Sequence, residues 1–88
     1  MTYKELSNLS YPDLVYAQFL INCIAYKQTP YQAILYNRDK NLKVMEVFKR
    51  TSTGNTSTKK MVARNDQMPL LVKRIKQDFP DIEITSYE

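Results

Sequence analysis

The stretch from Tyr31 to Arg50 constrains the fold most, because it predicts two β-strands joined by a short polar turn. Its sequence is YQAILYNRDKNLKVMEVFKR. Both arms are rich in Ile, Leu, Val, Phe and Tyr, which favour strands, and the residues from Asn37 to Asn41 are all polar. We therefore predict a β-hairpin here, and we interpret the flanking segments as elements that extend it or cover it.

A short helix and a long helix are predicted before the hairpin. Thr2 and Glu5 have the spacing of a capping box, so a short helix is expected through about Leu9. Ser10 offers the next N-cap, and a second helix is expected over residues 11 to about 28. The Pro that follows should end it, because Pro disfavours helical geometry in the residue before it.

The long helix is apolar nearly all round, and Gln18 and Asn22 mark a narrow polar stripe on it. A strand across residues 19–26 is the alternative, since Phe, Ile and Tyr are common in strands. Capping and length favour the helix. We expect it to be mostly buried, against the sheet or against a second copy of the chain, so a homodimer is one open arrangement. One expected apolar side comprises Leu14, Ala17, Ile21, Ile24 and Ala25, with Tyr16, Leu20 and Cys23 in the adjacent row.

The part after the hairpin predicts two strands and a helix. Residues 51–58, TSTGNTST, are predicted to form the flexible tip of a second hairpin. Residues 59–64 have two alternating sets of side chains and are predicted to form a third strand. Asn65 or Asp66 is the expected N-cap of a helix that runs to about Asp78, and residues 82–87 alternate strictly as a closing strand. The helix has a clear apolar stripe, formed by Met68, Leu71, Val72, Ile75 and Phe79.

The predicted order α-α-β-β-β-α-β gives an α+β fold. It comprises two N-terminal helices, a three-stranded antiparallel meander, one amphipathic helix and a closing C-terminal strand. We assign residues 1–88 to one small domain, which buries about 64% of its unfolded surface. The last β-α-β step would be a crossover that returns to an inner strand. Residues 42–49 are apolar on both faces, which predicts a bulge near Glu46 or partial cover of both faces.

The residue content argues against catalysis. The chain has no His and a single Cys, Cys23, which lies among apolar residues and is expected to be buried and inert. The spacing of the carboxylates matches neither a calcium loop nor a two-metal site. We therefore expect no enzymatic activity, no metal and no cofactor. A lone Cys also fits a cytoplasmic protein, and the apolar stretch of residues 14–26 is too short and too polar to span a bilayer.

Basic residues and tyrosines are the candidate contact groups. The net charge is +4 and tyrosines number seven. Lysines and arginines can contact phosphates, and tyrosines are enriched at interfaces. We expect four of the basic residues, at positions 49, 50, 59 and 60, to converge near the tip of the second hairpin. The full set of candidate partner-binding or nucleic-acid-binding residues is Lys49, Arg50, Lys59, Lys60, Arg64, Lys73, Arg74, Lys76, Tyr31, Tyr36 and Tyr87.

Two functional hypotheses follow. The chain is short, rich in Lys, Asn and Tyr, and poor in Gly. In this general composition, though in no particular motif, it resembles small proteins carried by phages and mobile elements, many of which act by binding a host nucleic-acid-handling machine. The resemblance implies a non-enzymatic inhibitor or regulator that binds a host protein or nucleoprotein complex. The alternative is a domain that binds DNA or RNA through a basic sheet or helix face, which requires one continuous positive surface.

Overall fold

The structure is a computed structural model that describes residues 11–87. These residues form two helices and four strands, an α+β arrangement of the predicted kind. The predicted short helix over residues 2–9 lies outside the described residues, so a single helix precedes the sheet here. The elements are α1 (Tyr11–Ala25), β1 (Thr29–Asn37), β2 (Leu42–Arg50), β3 (Thr56–Arg64), α2 (Met68–Asp78) and β4 (Glu83–Ser86).

The four strands form one sheet in the order β3-β2-β1-β4. The β1–β2 and β2–β3 pairs are antiparallel, which confirms the predicted meander. The closing strand β4 is parallel to β1, with Ala33 opposite Ile84. The chain therefore leaves the sheet at one edge, passes through α2 and returns at the opposite edge, where its pairing with β4 makes β1 an inner strand of the four-stranded sheet.

Asp39 closes the first hairpin turn. Its Oδ1 accepts hydrogen bonds from the backbone amides of Asn41 (2.8 Å) and Leu42 (3.0 Å). This use of an Asp side chain to satisfy nearby backbone amides is typical of tight turns. Asn65, predicted as a helix cap, instead donates from Nδ2 to the carbonyl oxygen of Lys40 (3.0 Å), which ties the end of β3 to this turn.

Both helices pack on the same face of the sheet. The inner face of the meander presents apolar side chains, and each helix buries a stripe against them. Apolar burial of this kind is the main stabilising term of a small domain. The core comprises Tyr16, Phe19 and Cys23 of α1, Met68, Leu71 and Ile75 of α2, and Ala33, Met45, Val47, Met61, Ala63 and Ile82 around them.

The rotation of α1 differs from the prediction. Tyr16, Phe19 and Cys23 face the sheet, whereas Ile21 and Ile24 are 42% and 79% exposed. Of the expected apolar side, only Ala17 is buried. A helix that is apolar nearly all round has no broad polar face to fix its rotation, and the bulky rings fill the space above the sheet best.

The helix α1 also ends earlier than predicted, at Ala25. Lys27 has a left-handed backbone (φ 50°). The amide of Gln28 donates to the carbonyl oxygen of Cys23 (2.9 Å), and that of Lys27 donates to Ile24 (3.4 Å). This pair of hydrogen bonds around a left-handed residue is a common motif at helix C-termini. It ends α1 several residues before Pro30.

A polar contact locks α1 to α2. The hydroxyl of Tyr16, a residue with no exposed surface, donates to Oδ2 of Asp78 at 2.5 Å. The guanidinium of Arg74 lies 4.9 Å from the centre of the Tyr16 ring and forms an ion pair with Asp13. The pKa of Tyr16 is raised, because burial disfavours the phenolate and the carboxylate of Asp78 repels it. These bonds fix the position of α2 over the sheet.

Two smaller predictions are corrected. The register shift lies between Pro30 and Gln32 of β1, and the β2–β3 pairing is regular through Glu46. The alternative expectation for β2, partial cover of both faces, is the one that holds, since Val44 on the outer face is also buried. The helix α2 begins after Gln67, which makes no side-chain cap hydrogen bond.

Candidate functional site: a lysine groove beside α2

The expected cluster of basic residues at the second hairpin tip does not form. Lys49 is only 4% exposed and lies on the inner face, with Nζ 5.5 Å from the centre of the Phe19 ring. Its side chain stabilises the core through this cation–π contact and is not available to a partner. Lys59 lies opposite Val47 on the inner face, while Lys60 lies opposite Glu46 on the outer face. The tip therefore presents no continuous basic patch.

The predicted arginines are all engaged within the chain. Arg50 stacks on the ring of Tyr31, with Cζ 4.3 Å from the ring centre. Arg64 pairs with Asp66 at 3.6 Å, and Arg74 makes the contacts with α1 described above. Guanidinium groups held in this way are less available for phosphates.

The three predicted tyrosines are spread over the surface. Tyr31 lies beneath Arg50, and Tyr36 is half-buried on the outer sheet face, where its hydroxyl lies 3.4 Å from Oε2 of Glu46. Tyr87 is 58% exposed just beyond β4, and Tyr26, after α1, is 68% exposed. Tyr26 and Tyr87 are therefore the described tyrosines with a large free surface.

One concave site does collect cations, and we call it the lysine groove. It is a cleft of about 390 Å³ between α2 and the inner face of β1 and β2. Its apolar floor is formed by Leu35, Met68 and Val72, and its rim by three lysines and a proline. The lining residues are Leu35, Lys43, Met68, Pro69, Val72, Lys73 and Lys76.

Helical spacing and sheet register bring these residues together. Met68, Val72 and Lys76 are four residues apart, so they form one row along α2. Lys43 lies opposite Asn37 near the start of β2, and Leu35 of β1 lies two residue pairs away, opposite Met45. Both strand residues therefore point to the helix-covered face. The groove thus depends on the α1–α2 contact that fixes α2 over the sheet.

The electrostatics of the groove are uniformly positive. None of its lining residues is acidic, and no carboxylate of residues 11–87 lies within 4.0 Å of a nitrogen of Lys43, Lys73 or Lys76. The first turn of α2 also carries no acidic residue, so the partial positive charge of its N-terminus is not neutralised there. An anionic group placed in the groove would be attracted both by the lysines and by the N-terminus of α2.

A larger depression of about 650 Å³ lies near Arg38, Leu42, Val62 and Arg64 at the same end of the sheet. One of its two cations, Arg64, already pairs with Asp66. The lysine groove has three lysines beside which residues 11–87 place no carboxylate, and it also has an apolar floor. It is therefore the stronger candidate site.

The predicted contact residues include Lys73 and Lys76 but not Lys43. Two residues of the floor, Met68 and Val72, were predicted only as part of the apolar stripe of the helix. The sequence carries no local signal that joins Lys43 to Lys73, which lies thirty residues further along the chain. Only the crossover that lays α2 over β1 and β2 places them in one site.

Groups for catalysis or metal binding are scarce. Burial raises the pKa of the Cys23 thiol, which therefore stays protonated near neutral pH. Within residues 11–87, no three Cys, Asp or Glu side chains are grouped closely enough to hold a metal ion. None of the described helices has the length and apolar character needed to cross a membrane.

Comparisons with protein-family models, with curated proteins and with solved structures give no match for this chain. Its function has to be inferred from its own residues and geometry.

Proposed function

We propose that this protein is a non-catalytic binding protein whose lysine groove receives an acidic segment of a partner protein. The observation that carries the proposal is the combination of an apolar floor and three lysines beside which residues 11–87 place no carboxylate. A partner segment with two or three carboxylates around one or two apolar side chains would match both features. Electrostatic complementarity of this kind sets partner choice and association rate.

The floor of the groove favours polypeptide over nucleic acid. Leu35, Met68 and Val72 are aliphatic, and among residues 11–87 no aromatic side chain on which a base could stack lines the groove. The predicted basic residues outside the groove are distributed over both sheet faces or engaged within the chain. A nucleic-acid-binding surface would instead be expected to track a backbone with one continuous basic stripe.

An inhibitory or regulatory role belongs to the same proposal. The protein has a binding groove, a buried thiol and no His in its sequence. Such a protein is suited to act by binding its partner rather than by changing it chemically. A cytoplasmic location is also part of the proposal, and its support is the single free, buried Cys23.

Fluorescence anisotropy with a labelled acidic peptide tests the proposal. The probe is a peptide of about twelve residues that alternates Glu with Leu, a length able to lie along one groove. Lys73→Glu and Lys76→Glu should each weaken binding about tenfold, because each reverses a charge on the rim. Lys60→Glu is the matched control: it makes the same charge change on the outer sheet face and should alter affinity less than twofold.

The comparison probes separate the alternatives. A peptide with Lys in place of Glu should not bind, and a single-stranded oligonucleotide of similar length should bind more weakly than the acidic peptide. If Lys60→Glu weakens binding as much as Lys76→Glu does, net charge alone is responsible and the groove is not the site. If the oligonucleotide binds more tightly and loses affinity steeply with salt, the nucleic-acid hypothesis replaces this one.

A further inference from the structure

Two buried polar side chains on the inner face of the sheet lie opposite each other without a hydrogen-bond acceptor. Oγ of Ser57 is the one buried side-chain oxygen or nitrogen of residues 11–87 that makes no hydrogen bond. Lys49 is the β2 residue directly opposite Ser57, and it is only 4% exposed. Its Nζ lies over the Phe19 ring of α1, but a ring face is no substitute for a hydrogen-bond acceptor. Since buried polar groups are nearly always hydrogen-bonded and buried charges nearly always paired, this place is suited to a negatively charged acceptor.

Lys59 brings a second ammonium group to the same place. It follows Ser57 by two residues on β3, so its side chain points to the same face, diagonally across from Lys49. Directly opposite residues have Cβ atoms about 5 Å apart, and diagonal neighbours are within reach of long side chains. No carboxylate of residues 11–87 lies within 4.0 Å of a nitrogen of Lys49 or Lys59. We call Lys49, Ser57 and Lys59 the donor cluster.

The chemistry of the donor cluster fits an anion with several oxygens. All three side chains can donate hydrogen bonds, and two of them are cations. A single-atom ion would need every donor within about 3 Å of one point, whereas the oxygens of a tetrahedral oxyanion can each accept from a different side chain. The two ammonium groups also balance the charge of a phosphate dianion. Ser57 and Lys59 are half-buried, so a small ion can enter from their side of the cluster.

We propose that the donor cluster binds one phosphate group, with Oγ of Ser57 and the two ammonium groups donating to its oxygens. A macromolecule does not reach the buried Lys49, so the ligand is either the free ion or a small phosphate monoester, which share this chemistry. The site is distinct from the lysine groove. Lys43 of the groove precedes Lys49 by six residues on β2, which is about 20 Å along a strand.

Isothermal titration calorimetry of the full chain with sodium phosphate, near neutral pH and at constant ionic strength, tests the site. We expect a dissociation constant of about 0.1–1 mM for wild type. Lys59→Gln should weaken binding about tenfold because it removes one of the two charges, and Ser57→Ala about threefold because it removes one neutral donor. Lys60→Gln is the matched control: it makes the same charge change one residue further along β3, on the outer sheet face, and should alter affinity less than about twofold.

Lys49→Met keeps an unbranched apolar stem and removes the buried charge, so it should abolish measurable binding. Circular dichroism checks that this variant folds, and Ser57→Ala and Lys59→Gln test the site independently of it. O-phosphoserine distinguishes the two sources: affinity equal to that of phosphate indicates a phosphate monoester, and binding at least about tenfold weaker indicates the free ion.

Three results would overturn the proposal. The first is no binding to wild type at about 10 mM phosphate, a concentration well above the expected dissociation constant. The second is an equal loss of affinity in Lys60→Gln and Lys59→Gln, which would show an effect of net charge alone. The third is loss of phosphate binding in Lys76→Glu, which would place the ion in the lysine groove. We expect Lys76→Glu to bind phosphate as wild type does, so this site stands or falls separately from the proposed groove function.

Discussion

Replacing Tyr16 by Phe removes one hydroxyl from the contact that locks the two helices together. The ring keeps its neighbours, since the Phe19 ring lies 5.8 Å away between ring centres and the guanidinium of Arg74 lies 4.9 Å from the centre of the Tyr16 ring. What is lost is the hydrogen bond to Asp78 and the longer one to the carbonyl oxygen of Arg74 at 3.3 Å. The substitution therefore isolates a polar contact within an otherwise unchanged core.

The size of the effect follows from the exposure of the acceptor. A hydrogen bond to a charged group contributes about 1.5–3 kcal/mol. Asp78 is exposed, so water can replace the lost donor and the cost should fall at the lower end of that range. We expect the free energy of unfolding to drop by about 1.5 kcal/mol, which corresponds to a decrease in Tm of about 6–12 °C for a domain of this size.

Urea denaturation followed by circular dichroism measures the change, and a double-mutant cycle assigns it. Tyr16→Phe combined with Asp78→Ala should cost less than the sum of the two single variants by about 1 kcal/mol. Tyr36→Phe is the matched control: its hydroxyl makes only a long contact of 3.4 Å with Glu46, so it should cost less than about 0.5 kcal/mol. A Tyr16→Phe cost as small as the control, or a coupling of zero, would refute the view that this bond holds α2 in place.

Three further outcomes follow from the structure. The pKa of Tyr16 is higher in the folded chain than in the unfolded chain, where Tyr titrates near pH 10.0. The difference in free energy of unfolding between wild type and Tyr16→Phe should therefore be fully present below pH 10.0. Above that pH it should fall by about 1.4 kcal/mol per pH unit, as measured by urea denaturation. Lys27→Gly should raise the free energy of unfolding by about 0.5–1 kcal/mol, since Gly adopts the left-handed backbone without a Cβ penalty, and an unchanged or lower value would contradict this. Cys23 should react with a thiol reagent at least about 100-fold more slowly in folded than in denatured protein; fast reaction near neutral pH would show that the thiol is accessible.

The hairpin and α2 could be predicted because their signals are local. Asp39 and its polar neighbours form the turn, and the stripe from Met68 to Ile75 is one-sided, so each pattern admits a single interpretation. The end of α2 at Asp78 was also correct. The caps failed because Asn65 and Asp66 each found another partner, the carbonyl oxygen of Lys40 and the guanidinium of Arg64. Local capping rules give no weight to such partners from other elements.

The rotation of α1 and the lysine groove could not be predicted, for related reasons. Nearly every side of α1 is apolar, so its orientation is decided by which rings fit above β2 and β3, a question of packing between distant segments. The groove needs Lys43 and Lys76 on facing elements, and that depends on the path of the crossover. Of the proposed binding residues, Lys49 was the most misleading. Its charge predicts a position at the surface, yet the residue is only 4% exposed and lies over the Phe19 ring. Its long aliphatic stem allows it to pack in the core.

The short strand β4 has a consequence for how the chain behaves over time. Its four residues, Glu83–Ser86, hold one edge of the sheet, and they can pair only after the chain has crossed from the opposite edge. Such non-local pairing forms late in folding, and a short edge strand opens first, so amides of β4 should exchange with deuterium before those of β1 and β2. Each opening would bare the backbone of β1, whose side chains are apolar on both faces at Ala33 and Ile34. We expect this transient edge to be where aggregation begins on warming.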